Sequence, residues 1–321
     1  MEKKYYIGVD IGGTTVKIAI IDNNGEINSK WEIPTRTESE GAHVPTDIWN
    51  SIEEKIENLK INKDRIKGIG AGAPGFVDPT TGVVSVAVNI GWKNFDLGKQ
   101  LEELSSLPVH VDNDANIAAL GENWKGSGAL AENLIAITLG TGVGGGIIAN
   151  GKVINGANGT AGEIGHLTVE IGGAPCNCGR QGCLETVASA TGIVRQAKEI
   201  IKAGYDTVLK SLLEKNGDLT SKDVFDAADK GDEQAEQLIV KVTDVLGLAI
   251  ANTATVVNPS KVVIGGGVSK AGDQLLVPLK DAFNQHALAR ISEACEFTIA
   301  ELGNDAGVYG GAYLVKQIAE S

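Results

Sequence analysis

Three of the four cysteines lie within eight residues of one another, in the segment CNCGRQGCLE that begins at Cys176. The cluster comprises Cys176, Cys178 and Cys183, whereas Cys295 lies far away. Thiols at this spacing in a glycine-rich loop suit zinc, which prefers four tetrahedral ligands and is often held by three cysteines and one histidine. Of four histidines only His166, ten residues before Cys176, belongs to the same loop region. These residues predict a structural Zn²⁺ site, with clustered free thiols as the alternative.

Two glutamates flank this predicted metal loop. Glu163 lies three residues before His166, and Glu185 lies two residues after Cys183. Carboxylates held rigidly beside a metal suit hydrogen bonding to vicinal hydroxyls, which is how sugars are recognised. The alternative for either glutamate is a solvated carboxylate.

Two glycine-rich segments, residues 7–27 and residues 135–154, share one design. Each has an apolar strand, a glycine-rich turn, a second strand, an Asn-Gly pair and a third strand. An Asn-Gly pair between apolar runs predicts a hairpin with a type I′ turn, in which both central residues have positive φ. The repeat predicts two homologous domains that each offer a glycine hairpin to one ligand, with chance similarity as the alternative.

These glycine turns fit phosphate binding, but neither common nucleotide motif. GTGVGG at 140–145 is followed by a strand and not by the helix that a dinucleotide fold requires, and no glycine loop ends in Gly-Lys-Ser/Thr. Backbone N–H groups of the two hairpins remain as the phosphate ligands. A carboxylate at Asp10 beside phosphates implies a bridging Mg²⁺. The predicted nucleotide residues are Asp10, Gly12, Gly13, Thr14, Thr15, Lys17, Gly140, Thr141, Gly142, Gly265 and Gly266.

The predicted nucleotide site also includes a lysine and a third glycine loop. Lys17 could supply a positive charge to the phosphates, or it could be a solvated lysine. The glycines at 265–267 follow a buried strand, and they could pack against an adenine or a ribose.

The segment VDNDAN at 111–116 places acidic and amide side chains where a strand runs into a helix. Ligands of α/β proteins bind at the carboxyl ends of strands. Asp114 suits a general base for an attacking hydroxyl, and Asn113 would orient the substrate. Aspartate is also a favoured helix N-cap, so the pattern alone leaves both readings of Asp114 open.

The wider pattern alternates strands and helices, which predicts an α/β protein. The predicted strands cover 66–75, 106–114, 261–269 and 296–302, and the predicted helices cover 115–124, 184–200, 222–230, 233–257, 272–290 and 307–320.

The motifs DIGGTTVK, LGTGVGGG and IGGGVS resemble the two phosphate loops and the adenosine loop of the actin/hexokinase/Hsp70-type ATPases. With VDNDANIAALGE, GEIGH and CNCGRQGCLE in the same order, the chain resembles the ROK family of bacterial sugar kinases, and most closely its glucokinases. The resemblance implies two actin-like, ribonuclease H-like ATPase domains with a cleft between them. Residues 1–116, completed by the C-terminal helix at about 305–321, would form one domain, and residues 117–304 the other.

The resemblance also implies an activity and roles for individual residues. The chain would phosphorylate glucose at the 6-hydroxyl with ATP and Mg²⁺, and Asp114 would take the hydroxyl proton. Asn113, Asp114, Glu163, His166 and Glu185 would contact the sugar, while His166 and the three clustered cysteines would bind Zn²⁺. The family resemblance further implies a homodimer or a higher homo-oligomer.

Composition and charge exclude several other classes. Twenty-eight basic and 41 acidic residues give a net charge of −13 without a basic run, which argues against nucleic acid and anionic membranes as partners. No stretch approaches the roughly eighteen apolar residues of a membrane span, and the N-terminus does not fit a signal peptide, so we expect a cytoplasmic protein.

Three other functions compete with this interpretation. A kinase for fructose, mannose or N-acetylmannosamine would use the same residues. A sugar-responsive transcriptional regulator would need a DNA-binding module, for which there is little room before the strand near Tyr5. A filament-forming ATPase would not need the metal loop or the paired glutamates.

Overall fold

The computed structural model describes residues 4–320, and the contacts between them define two compact units. The first unit contains the described residues up to Leu130, the segment Lys152–Gly162 and the chain from Glu301 onward. The second unit contains Ala131–Gly151 and Glu163–Ala300. Both combine sheets with packed helices, so the predicted α/β class is confirmed.

Thirteen strands and eleven α-helices cover most of the described residues. The strands are β1 Tyr5–Ile11, β2 Thr15–Asp22, β3 Ile27–Pro34, β4 Ile66–Ala73, β5 Phe76–Asp78, β6 Val83–Ala87, β7 Trp92–Asp96, β8 Val109–Asn113, β9 Leu134–Leu139, β10 Val143–Ala149, β11 Lys152–Val153, β12 Lys261–Gly265 and β13 Glu296–Ile299. The helices are α1 Val44–Leu59, α2 Leu97–Ser105, α3 Asp114–Lys125, α4 Glu185–Ala188, α5 Ala190–Lys202, α6 Val208–Asn216, α7 Ser221–Asp229, α8 Glu233–Val257, α9 Asp273–His286, α10 Ala289–Ala294 and α11 Ala306–Ala319.

The main sheet of the first unit has the strand order β3-β2-β1-β4-β8. β1 runs antiparallel to β2, whereas β1, β4 and β8 are parallel neighbours. In this register Asp10 pairs with Gly72, and Ala73 pairs with Asn113. The carboxyl ends of the three parallel strands therefore bring Asp10 and the β8–α3 junction to the same edge of the sheet.

The second five-stranded sheet has the order β11-β10-β9-β12-β13. β9 is antiparallel to β10 and parallel to β12, which in turn is parallel to β13. Strands β9, β10, β12 and β13 thus repeat the arrangement of β1, β2, β4 and β8. The sequence repeat therefore corresponds to a repeat of sheet topology.

The two Asn-Gly turns of that repeat differ in conformation. Asn150 and Gly151 both have positive φ, of 51° and 74°, as a type I′ turn requires. In the first hairpin only Gly25 has positive φ, so the type I′ prediction is wrong there. The carboxylate of Asp22 accepts hydrogen bonds from the N–H groups of Asn24 and Glu26, which stabilises a three-residue loop instead.

Glycines in the first sheet allow a helix to pack directly on the strands. A Cβ at Gly8 would collide with the Val308 carbonyl of α11, and a Cβ at Gly70 would collide with that of Gly311. Some of the chain's 42 glycines therefore serve helix–sheet packing.

Packing also sets the limits of the first unit. The predicted domain boundary after residue 116 falls inside α3, whereas the contacts keep all of α3 in the first unit, because α3 packs along α11. Several elements of this unit were not predicted, namely α1, α2 and the small sheet β5-β6-β7.

The long helix α8 corrects one expectation about membranes. Its 25 residues are long and apolar enough to cross a bilayer by length and composition, although no such stretch was expected. Half of its apolar window is buried inside the protein, and α8 packs against α9 and α7. The apolar residues of α8 thus form part of the interior of the second unit.

Candidate active site

The first glycine hairpin joins β1 to β2 and is held in shape by hydrogen bonds. The Gly12 N–H donates to the Thr15 carbonyl at 3.0 Å. Thr35 supports the turn from β3's end, since its hydroxyl donates to the Gly12 carbonyl at 2.7 Å and its N–H donates to the Thr14 carbonyl at 2.9 Å. These hydrogen bonds fix the conformation of the turn. The N–H groups of the turn that they do not use can bind an anion.

Asp10, the penultimate residue of β1, lies next to this turn. Burial raises the pKa of Asp10, while the charge of Lys17, whose Nζ lies 4.0 Å from Oδ2, acts in the opposite direction. Lys17 also donates to the Asn304 carbonyl at 3.3 Å, so its ammonium group has two partners, Asp10 and Asn304. A half-buried carboxylate with one distant cation is suited to a divalent ion.

The β8–α3 junction presents the candidate base. Asn113 is the N-cap of α3, because its Oδ1 accepts from the N–H groups of Ala115 at 2.8 Å and Asn116 at 3.3 Å. Its Nδ2 donates to the Gly75 carbonyl at 2.9 Å, which leaves one amide hydrogen for a substrate. Asp114, the first residue of the helix, is exposed. The N-cap role that competed for Asp114 thus belongs to its neighbour.

In the second unit, the glycine hairpin between β9 and β10 is tied to a carboxylate. The Val143 N–H donates to Oε2 of Glu185 at 3.1 Å, and a Cβ at Gly142 would collide with the same oxygen. The Thr191 hydroxyl donates to the Thr141 carbonyl at 2.7 Å. Glu185 and the start of α5 therefore position this turn.

Four potential ligand atoms for a metal converge in the second unit. A nitrogen of His166 and the sulfurs of Cys176, Cys178 and Cys183 all lie within 4.8 Å of one another. Two of the separations are 3.7 Å, between Cys176 Sγ and His166 Nδ1, and 3.6 Å, between Cys178 Sγ and Cys183 Sγ. Zinc bonds of about 2.0–2.3 Å in a tetrahedron give ligand separations of about 3.5–3.8 Å. The four residues therefore fit Zn²⁺ in both chemistry and spacing.

The thiols of this cluster differ in acidity. Burial raises the pKa of Cys176 to about 12, whereas hydrogen bonds from the backbone and side chain of Arg180 lower the pKa of Cys178 to about 6. A metal binds the thiolate form, so loading the cluster would release protons and would depend on pH.

The two predicted sugar-binding glutamates lie against this cluster. Oε1 of Glu185 is 3.6 Å from Cys176 Sγ, and this residue begins α4. Burial raises the pKa of Glu163, with a further increase from the charge of Glu185 and a decrease from His166. Glu185 therefore bridges the metal cluster and the second glycine hairpin.

A cavity of about 700 Å³ opens beside the second hairpin. Its walls include Thr141 of the hairpin, Val194, Arg195 and Lys198 of α5, and Leu219. It has room for a nucleoside, and sequence reasoning did not find it, because all its walls except Thr141 come from segments that carry no motif and lie up to 80 residues away from the hairpin.

The glycine loop after β12 packs against the same hairpin. Gly266 has a φ of +84°, and a Cβ there would lie 2.5 Å from the Leu139 carbonyl oxygen, directly before Gly140. At Gly265 a Cβ would lie 3.2 Å from that of Ala300, a tight approach. These glycines therefore allow close approach between strands, in addition to any role with a ligand.

A family model, curated proteins and solved structures all show similarity to this chain over almost its whole length. The ROK family model matches residues 6–318. The chain belongs to the ROK family. A glucokinase of Halalkalibacterium halodurans is 55% identical over 318 residues, which cover 99% of this chain and 96% of that protein. The crystal structure of a ROK family glucokinase from Streptomyces griseus in complex with glucose and AMPPNP is 34% identical, with a TM-score of 0.74 over 98% of this chain and 99% of that one.

The ROK family also contains regulators. A xylose repressor of Caldicellulosiruptor bescii is 30% identical over 304 residues, which cover 95% of this chain but 76% of that protein. The predicted ROK resemblance is thus confirmed, and with it the two-domain actin-like fold of the family's glucokinases.

The structure groups the predicted residues of this ROK protein by unit. Asp10, the first hairpin, Asn113 and Asp114 belong to the first unit, while the second hairpin, the glutamates, the metal cluster and Gly265-Gly266 belong to the second. Asp112 and Asn155, which contact each other beside Asn113, were given no role from the sequence. The alternation of Asp112 with Asp114 could have drawn attention to Asp112, but Asn155 carries no such signal.

Proposed function

We propose that this chain catalyses the ATP-dependent phosphorylation of glucose at the 6-hydroxyl, giving glucose 6-phosphate and ADP. The observation that carries the proposal is the 55% identity with a protein named Glucokinase over 99% of this chain. A solved ROK relative binds glucose and AMPPNP, which supports a sugar and a nucleotide as the substrates.

In this proposal Asp114 is the general base. Phosphoryl transfer needs charge neutralisation, positioning and a group that accepts the hydroxyl proton. Asp114 accepts the proton of the 6-hydroxyl as that oxygen attacks the γ-phosphorus of ATP. Its exposed position, and the capping of α3 by Asn113, support this role. The remaining amide hydrogen of Asn113 orients the sugar.

Glu163, His166 and Glu185 hold the sugar through its other hydroxyls. Two observations support this role for the three residues. Glu185 lies close to Cys176, and the charges of His166 and Glu185 both act on the pKa of Glu163. Zn²⁺, held by His166 and the three cysteines, would have no open position and would therefore stabilise the loop rather than react.

The glycine hairpins bind the phosphates of ATP through backbone N–H groups, and Asp10 binds the accompanying Mg²⁺, whose charge offsets that of the phosphates. The cavity of about 700 Å³ beside Thr141 receives the adenosine. The tight approach of Gly266 to Leu139 supports a place for the glycine loop next to this nucleotide.

A coupled assay of ADP release tests the proposal. The purified protein is given Mg-ATP with glucose, mannose, fructose or N-acetylmannosamine, and we expect glucose to have the highest kcat/KM. A higher value for another hexose would change the substrate, and no ADP release with any of the four would refute the kinase assignment.

A sugar-responsive regulator is the second candidate, because of the 30% identity with a xylose repressor. The net charge of −13 opposes it, since DNA binding relies on neutralising phosphates with basic residues. We expect no gel shift of DNA at near-physiological salt, and a sequence-selective shift would favour the regulator.

We place the protein in the cytoplasm as a homodimer or a higher homo-oligomer. None of the four cysteines forms a disulfide, which agrees with a reducing compartment. The oligomeric state is inferred from the family resemblance, and light scattering after gel filtration would measure it.

A further inference from the structure

Asp112 is almost fully buried, with an exposed fraction of 3%, directly before the residues assigned to the sugar and to the base. Its Oδ1 accepts from the Asn113 N–H at 2.7 Å and from Nδ2 of Asn116 at 2.9 Å. Its Oδ2 accepts from Nδ2 of Asn155 at 2.7 Å. Every one of these donors is an amide of the first unit, and none carries a charge.

A buried carboxylate without a cationic partner is costly, and burial raises the pKa of Asp112 against the effect of the three donors. Asn116 is oriented so that its Nδ2 reaches Asp112, although its buried Oδ1 has no hydrogen-bond partner among the described residues. This junction thus buries a carboxylate without a cationic partner and an amide oxygen without a hydrogen-bond partner among the described residues. Two unfavourable burials at one place indicate that the positions which Asp112 imposes on its neighbours have a function.

Asn155 connects this carboxylate to a separate loop. The loop is closed by the Ala161 N–H, which donates to the Asn155 carbonyl at 3.1 Å. Gly159 of the loop packs so closely on Val77 of β5 that a Cβ would collide with the Val77 carbonyl. The loop therefore packs on the small sheet at Val77. This residue is two positions after Gly75, whose carbonyl accepts from Asn113.

We propose that Asp112 and Asn155 are positioning residues for the phosphoryl transfer. The Asn155–Asp112 hydrogen bond fixes Asp112, which in turn holds the N–H of Asn113. The position of this peptide sets the direction in which the Asp114 side chain projects from the first turn of α3. This inference rests on the proposed function, because it assigns Asp114 as the base. A small displacement of a catalytic group can reduce a rate about 10²-fold.

The test exchanges the two partners. Asn155→Asp sets two carboxylates against each other, and we expect kcat to fall about 10- to 100-fold while the Kd values for glucose and Mg-ATP stay within about threefold. Adding Asp112→Asn restores an amide–carboxylate hydrogen bond with its polarity reversed. The double variant should therefore regain at least about tenfold of the kcat lost by Asn155→Asp. Failure of the double variant to exceed the single variant would overturn the proposal.

Two further variants keep the test decisive. If Asn155→Asp does not fold, Asn155→Ala replaces it, with an expected fall in kcat of about tenfold and the same unchanged Kd values. Asp22→Asn is the matched control, since Asp22 is also buried, at 4% exposure, and accepts from two backbone N–H groups in the same unit. It should lower the melting temperature and leave kcat unchanged.

Wild-type turnover of glucose is measured in parallel. A wild type that does not phosphorylate glucose would refute the proposed function and this inference with it. An active wild type whose Asn155 variants keep kcat within about twofold would refute only the positioning role.

Discussion

The two sheets share one topology, yet their glycine hairpins are supported in different ways. In the first unit the turn at Gly12 is braced by Thr35, and Asp10 is the penultimate residue of the strand that precedes it. In the second unit the turn at Gly142 is held by Glu185, which also contacts Cys176 of the candidate metal cluster. Repetition of a fold therefore preserved the backbone cradle, while the side chains around each copy diverged.

This difference suggests a division of labour. The first unit carries the candidate base and the candidate Mg²⁺ ligand, and the second carries the metal cluster, the paired glutamates and the nucleoside-sized cavity. Loss of the candidate base in the first unit should then affect turnover, whereas loss of the metal in the second should affect sugar affinity.

Asp114→Asn should have the largest effect on turnover. Asparagine keeps the size of the side chain but cannot accept the hydroxyl proton, and general-base catalysis contributes about 10²–10⁴-fold. We expect kcat to fall by that factor, with the Kd values for glucose and ATP retained. The melting temperature should change little, because Asn113 caps the helix. Near-normal kcat, measured by ADP release, would remove Asp114 from the mechanism.

Loss of the metal should act on binding instead. Cys178→Ser removes one of the four proposed ligands, at an exposed position, so bound zinc measured by elemental analysis should fall from about one per chain. Glucose affinity, measured by calorimetry, should decrease at least about tenfold. Cys295→Ala is the control, because this buried thiol lies outside the cluster and the variant should keep its zinc. A zinc-free wild type with full glucose affinity would contradict the prediction.

Gly12→Val tests the first hairpin alone. A Cβ at Gly12 would lie 3.0 Å from the Thr15 carbonyl, and a branched side chain would obstruct the N–H groups of the turn. Saturation of wild type at 100 times Kd adds about 2.7 kcal/mol to stability, so Mg-ATP should raise its melting temperature by several degrees. The variant should lose this increase while it remains folded. An unchanged increase would show that the turn does not bind phosphates.

Asp10→Asn should have the smallest effect, and it should stabilise the protein rather than impair it. Burial raises the folded-state pKa of Asp10 above its unfolded value, so the ionised carboxylate destabilises the fold. This penalty is absent below the unfolded pKa and appears as pH rises through the folded pKa. At pH 7 the variant should melt on the order of 1–3 °C higher, while its stabilisation by Mg-ATP disappears. A lower melting temperature would mean that the interaction with Lys17 outweighs burial.

Several parts of the fold were readable from the sequence because local rules set them. The helix predicted over 233–257 coincides with α8, since its caps and apolar spacing lie within one segment. The small sheet β5-β6-β7 was missed, because its strands of three to five residues carry too few apolar positions to show a period.

The residues of the candidate metal cluster could be predicted from the sequence, because four side chains with the chemistry of zinc ligands lie within eighteen residues. The glycine hairpins were equally evident, since a turn that exposes its N–H groups needs glycine locally. Tertiary structure decided what no local rule contains. Asn113 rather than Asp114 caps α3, Glu185 reaches the second hairpin, and Asp112 meets Asn155 across 43 residues of sequence. Each of these contacts joins segments whose proximity depends on how complete sheets and helices pack.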